Sequence, residues 1–298
     1  MTRSFIIILA GLAACSQPDS QQRNGGETPL VSLYACGDDQ VYHLDIHANG
    51  HADTVWHWRA AETENLPPEY LPKLRSIDDC KPSVDGKQLL VSSSSGATVL
   101  IDIQEKTALF YASTPNAHSV EFLPNNRIVV ANSTASGGNS LEIYDSSQPE
   151  HVLFKDTLYS GHGVVWQPSS QRLYALGYDR LLAYELVDWE TAPTLRQVDN
   201  WTLPDNGGHD LSAIDGDHML VTTHKNVWQF EASTGSFTPF EPLLDVANVK
   251  SVNFNGDTDL LAYTKGEIEW WTHHIYIGNP KVTIDMPNLK LYKVRFTH

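Results

Sequence analysis

The stretch "LYKVRFTH", residues 291–298, decides the fold. It alternates as a half-buried strand does, and Tyr292-Lys293-Val294-Arg295-Phe296 lines up with "HSVEF" at 118–122, but the sequence stops before any partner strand follows. At the other end, "VSLYACG", "QVYHLDI" and "DTVWHWR" read as three consecutive strands with none ahead of them. A strand from the end of the sequence can complete the unit begun near the start, which closes a ring and removes exposed sheet edges.

The intervening sequence repeats. The apolar strands "QLLVSS" (88–93), "RIVVAN" (127–132), "RLYALG" (172–177), "HMLVTT" (218–223) and "DLLAYT" (259–264) recur every 39 to 46 residues. Each follows a short alternating segment and a turn such as "DGK", "PNN" or "NGD". Each precedes another strand: "TVLIDI", "SLEIYD", "LLAYEL", "NVWQFE" and "EIEWWT". Most units finish on a fourth, such as "ALFYAS" or "HVLFKD". Four short strands at this period are the signature of a β-propeller blade. The expected fold is therefore all-β: a six-bladed β-propeller closed by the C-terminal strand completing the N-terminal blade, with a single domain over residues 30–298.

Ahead of that domain, "MTRSFIIILAGLAAC" combines a basic start at Arg3, a short apolar run and small residues, the pattern of a secretory signal over residues 1–14. The apolar run is too short to span a bilayer. Leu12-Ala13-Ala14-Cys15 resembles a bacterial lipobox, which implies lipidation of Cys15 and anchoring of an exported protein. Ser16 and Gln17 supply no inner-membrane retention aspartate, so the resemblance implies the outer membrane in a Gram-negative source. Residues 15–29, rich in Gly, Ser and Gln, read as a flexible tether. Loss of the signal removes only Arg3 of the 20 Lys and Arg, leaving 19 against 36 Asp and Glu, a formal charge of −17. That balance argues against nucleic acid as a partner; the expected contact with the membrane is through the lipid alone, and the expected state is a monomer. In an exported compartment Cys36 and Cys80 can pair as a disulfide, with two buried free thiols as the alternative.

In a propeller the innermost strand of each blade lines a central channel. Counting back ten residues from each apolar strand places Tyr292, Asp79, His118, His162 (one residue looser), His209 and Lys250 at one level of that channel. All six are ionisable, and burying them without a task carries a desolvation cost. The plain alternative is that they bond to channel water and backbone. Two chemistries fit otherwise. Three neutral imidazoles, His118, His162 and His209, are a plausible ligand set for a divalent metal such as manganese, calcium or zinc. Without metal, the histidines, Lys250 and Tyr292 are groups able to move protons. Lys225, His224, Lys265, Tyr178, Asp179, Asp38 and Asp39 occupy turns on the same face and are expected at the rim. A local cationic patch in an acidic protein suits an anionic oligosaccharide such as a uronic acid.

Other features have ordinary readings. His43, His47 and His51 are four apart, but Gly50 and the alternation of "VYHLDI" make them strand and turn. Trp56, Trp58, Trp270 and Trp271 read as wedges between blades. No G-x-S-x-G, Walker loop, H-E-x-x-H or paired C-x-x-C motif is present.

Taken together, "YACGDDQVYHLD" with "VWHW", "DDCKPS", "NAHSVEFLP", "GHGVVW", "GGHDLS" and "VKSVNF" resemble an uncharacterised bacterial family of β-propeller proteins, a domain of unknown function. That resemblance covers the folded region and implies the fold, not an activity. The channel histidines are also similar in kind, though not in sequence, to those that hold a metal in propeller lyases of the oligogalacturonate type. The reading that follows is a lipid-anchored propeller that binds, and can cleave, an anionic carbohydrate. The alternative is a non-catalytic surface binding or assembly module.

Overall fold

The structure, a computed structural model, describes residues 28–297. The signal, Cys15 and nearly all of the tether lie outside the described residues. Six four-stranded antiparallel sheets form the blades. In blade 1 the strand Leu291–Phe296 is innermost, followed outward by Val31–Gly37, Gln40–Ile46 and Ala52–Arg59. The expected closure is thus observed, with Cys36 paired to Lys293 and Leu33 to Phe296. The other innermost strands are Ile77–Pro82, Ala117–Leu123, Gly163–Gln167, Asp210–Ala213 and Val249–Asn255, in blades 2 to 6. Each inner strand packs on the next, and the sixth returns to the first.

Strand alternation explains where the core sits. One face of each blade packs on its neighbour, so the apolar side chains collect between blades rather than at one centre. Six buried clusters result, one at each interface. Trp58, fully buried between blades 1 and 2, is such a wedge, and Trp56 packs against the same cluster. Cys36 and Cys80 lie in that cluster too, and the expected disulfide is not formed: both are buried free thiols. Burial and the neighbouring Cys36 thiol push the Cys80 thiol well above its ordinary pKa, which leaves it inert.

Two sequence readings are corrected. "EIEWWT" is not a strand: the third strand of blade 6 is His274–Ile277, whereas residues 266–273 form a loop held by the isolated bridge Ile268–Trp271. The tryptophan alternation imitated a strand, but Ala262 and Tyr263 pair with Ile277 and Tyr276 instead. Trp270, consequently, is no wedge and is 57% exposed. The spacing of His43, His47 and His51 is indeed strand and turn: His43 is in Gln40–Ile46, and His47 and His51 join in a backbone hydrogen bond across the turn.

Candidate functional site

The site is built by a repeated irregularity. In blade 3 Ala117 pairs with Asn132 and Ser119 with Ala131, so His118 is an extra residue without a partner. The same bulge makes Tyr292 extra in blade 1, Asp78 in blade 2 and Lys250 in blade 6. In blades 4 and 5 the histidine lies just ahead of the strand: the N–H of His162 donates to Leu176 and that of His209 to Thr222, both at 2.9 Å. A bulge breaks the strict alternation of faces and re-aims a side chain. Four inner strands therefore open around a residue freed from the ladder, and the other two open directly after a histidine.

The observed level is Tyr292, Asp78, His118, His162, His209 and Lys250. Asp79, expected there, lies one residue deeper, because the bulge in blade 2 takes up the preceding residue. Asp78 replaces it, with its carboxylate 3.8 Å from His118 Nε2. The predicted convergence of the three histidines is present: ring centroids are 4.3 Å apart for His118 and His162 and 5.6 Å for His162 and His209. Tyr292 meets the edge of His118 at 5.9 Å. The arc continues outward, since His224 lies 4.8 Å from His209 and leads to Tyr178 and then the exposed Tyr159. Gly207 (φ +77°) permits this, as a Cβ there would stand 2.4 Å from the His224 ring.

Hydrogen bonding fixes the tautomers. Carbonyls only accept, so Nδ1–H of His118 donates to Asn116 at 3.0 Å and that of His162 to Ser160 at 2.9 Å, which leaves both Nε2 lone pairs free. His209 is the reverse: Lys250 Nζ donates to its Nε2 at 2.9 Å. Its Nδ1–H then has no partner among the described residues. Burial holds all three imidazoles neutral, lowering His118 against the opposing pull of Asp78, and lowering His162 and His209 further through cationic and imidazole neighbours. Burial, then the Lys293 charge, bring Lys250 down to about 8. Burial and the nearby carboxylate of Asp78 push the Tyr292 phenol well above its usual value, so it stays protonated.

Beneath this level the channel is plugged. Lys293 is fully buried and donates to the carbonyls of His118 and His162 at 3.1 and 2.9 Å and to Asp210 at 3.0 Å. Arg295 grips Asp210 with two bonds of 2.8 and 2.6 Å and Asp79 with one of 2.7 Å. Ser119 donates to the other oxygen of Asp79 at 2.8 Å. Burial alone would raise both carboxyls, but Arg295, helped by Lys293, holds them below the ordinary carboxylate range. Two cations from blade 1 thus tie together blades 2 and 5. Sequence reading missed Lys293, Arg295 and Asp210, although each follows a predicted channel residue by one or three positions.

Not every predicted rim residue reaches the mouth. Lys225 is exposed on the same face, whereas Lys265 turns away, its Nζ 4.9 Å over the Tyr276 ring. Asp38 accepts the backbone N–H of Lys290 at 3.0 Å and lines the cavity beside the ring, whereas Asp39 faces Arg59 at 3.7 Å. The blade 6 loop adds what was not foreseen. Trp270 and Trp271 join Arg75, Lys290, Asp78 and Tyr292 around a cavity of about 220 Å³ beside the ring.

The ring is cationic beside His209, where Lys250 stands, and carries a carboxylate beside His118, where Asp78 stands. The ligating nitrogens of the three histidines do not form a group lying within 4.8 Å; among the described residues Asp217, His218 and Glu231 do, away from the channel. An ammonium beside His209, and another in the plug, would repel a metal ion. Over residues 4–298 the chain matches the model of a family described as of unknown function, DUF6528. The chain belongs to DUF6528. A comparison with curated proteins finds no match. The blade closure and the polar ring are therefore features of a DUF6528 propeller, and its function has to be argued from the site.

Proposed function

We propose that the channel mouth on the histidine face binds an anionic carbohydrate, in a propeller exported and held at a membrane by lipid on Cys15. The observation that carries this reading is the Lys250–His209 pair: among the described residues the buried Nζ meets no carboxylate and no acceptor but His209 Nε2, and the buried Nδ1–H meets no acceptor. A buried cation without a counter-charge is costly, and an incoming carboxylate answers the Lys250 ammonium. Trp270 supplies an exposed aromatic face beside the same ring, where Arg75 and Lys290 stand with Asp38 and Asp78.

The pair also supports proton transfer. With Lys250 near 8, its neutral form is accessible at mild pH and can take the proton from the carbon next to a uronate carboxylate; the bond to the neighbouring glycosidic oxygen breaks as the carbon–carbon double bond forms, and the Lys250 ammonium, held by His209 Nε2, returns the proton to that departing oxygen. A second reading, a non-catalytic surface binding or assembly module, is favoured by the plug, which ends the channel directly below the ring. Calorimetry with trigalacturonate, a neutral oligosaccharide of the same length, and the Lys250→Met variant separates these. The proposal expects saturable binding of the uronate alone, lost in the variant. Absence of uronate binding overturns it, and binding without any unsaturated product over long incubation assigns the module reading.

A further inference from the structure

The opposite end of the channel has a different chemistry. There the inner strands finish in Phe296, Phe122, Trp166 and Phe254, which wall a cup of about 760 Å³. That volume falls in the range of small-molecule sites, roughly 300–1,000 Å³. All six blades reach it, as a consequence of the same register that builds the histidine ring above.

Charge on its floor is fully answered. Lys81 bonds Glu121 at 2.9 Å and the carbonyl of Val164 at 2.6 Å. Arg295 is spent on Asp79 and Asp210. At the rim, Asp85 and Asp215 hold the backbone N–H groups of their own turns, those of Lys87 and of Asp217 and His218. An anion would face those two carboxylates, and a cation finds no free one. One fully buried side-chain atom of the lining is unanswered: Ser212, 8% exposed, lines the cup, and its Oγ has no partner among the described residues. A buried hydroxyl left in that state is unfavourable, and a ligand that supplies the missing bond gains from it.

We propose that this mouth is a second binding site, for an uncharged aromatic small molecule that carries one hydrogen-bonding group to meet Ser212 Oγ. The aromatic walls stack the body of the ligand, the neutral floor rejects a charged head, and Ser212 sets its orientation.

N-phenylnaphthylamine, an uncharged aromatic molecule with one N–H, is the probe. Titrated into the protein it should bind at one saturable site and draw energy from Trp166, so that Trp166→Phe keeps the binding and loses most of the transfer. Ala213 is exposed on the cup wall, and Ala213→Trp should fill the space and weaken binding at least tenfold. Ser212→Ala should weaken it about fivefold with a melting temperature no lower than that of the parent protein. The anionic analogue anilinonaphthalenesulfonate should bind at least tenfold less tightly. Undiminished binding to the Ala213→Trp variant, or equal binding of the anionic analogue, overturns the proposal.

Discussion

Lys250 Nζ stands 2.9 Å from His209 Nε2, an ammonium donating to an imidazole where a carboxylate would be the ordinary partner. Its pKa of about 8 against 10.5 for a free lysine measures the strain of that position. Because the folded state binds this proton more weakly than the unfolded chain, the charged form is destabilising below pH 8, by an amount on the order of 3 kcal/mol. Lys250→Met should therefore raise the melting temperature at pH 7 while abolishing uronate binding. A lower melting temperature with intact binding would refute the assignment.

The same pair gives the pH dependence a sign. An anion needs Lys250 charged, so its affinity should fall as pH rises through about 8. On the acid side, protonation of the buried imidazoles adds positive charge, and affinity should grow until the ligand's own carboxylates protonate. A metal held by His118, His162 and His209 would behave oppositely, weakening as the imidazoles gain protons. Calorimetry at four pH values, with galacturonate and separately with manganese and zinc, distinguishes the two signs.

Stability should follow pH by two separate routes. The three imidazoles have folded pKa values below the unfolded 6.5, so the unfolded chain takes up protons first and stability declines as pH falls below about 6.5. Asp79 and Asp210 are depressed, so their contribution is present above the unfolded value of about 4 and is lost as pH falls through their folded values. Thermal melts from pH 8 to pH 3 should show both declines, and His162→Gln should flatten the first.

Removing one member of the plug should be costly. Asp210→Asn leaves Lys293 and Arg295 with Asp79 as their remaining carboxylate, and breaking a buried ionic group in this way typically costs about 3–5 kcal/mol. The melting temperature should drop accordingly, far more than for Asp85→Asn at the solvent-exposed rim. Equal effects would mean that the network contributes nothing special to the ring.

Cys36 and Cys80 should resist alkylation in the native protein and both react in denaturant, as mass mapping of the two peptides would show. Recovery of a linked peptide from the exported protein would contradict the free-thiol state.

How much was legible beforehand follows from what each signal depends on. Blade number and closure depend on a repeat and one missing strand, and both are written locally in alternation, so Leu291–Phe296 could be placed beside Val31–Gly37 at once. The polar ring was legible to within one residue: a bulge inserts a residue without changing composition, which is why Asp79 was assigned where Asp78 stands. The plug was hidden because its partners Arg295, Asp79 and Asp210 come from three blades: Arg295 and Asp210 look like plain strand residues alone, and Asp79 was assigned to the ring above. Trp270 was misplaced because "EIEWWT" has the composition of a strand and only the pairing of Ala262 with Ile277 shows otherwise.

The bulges carry a consequence for how such a protein can change. A residue outside the ladder owes nothing to strand register and little to the interfaces between blades, so its identity can be exchanged at small cost to the architecture. Tyr292, Asp78, His118 and Lys250 occupy such slots. The scaffold therefore behaves as a rotary holder with interchangeable inserts, in which ligand preference can drift between descendants, or be rewritten by design, one insert at a time around a fixed axis.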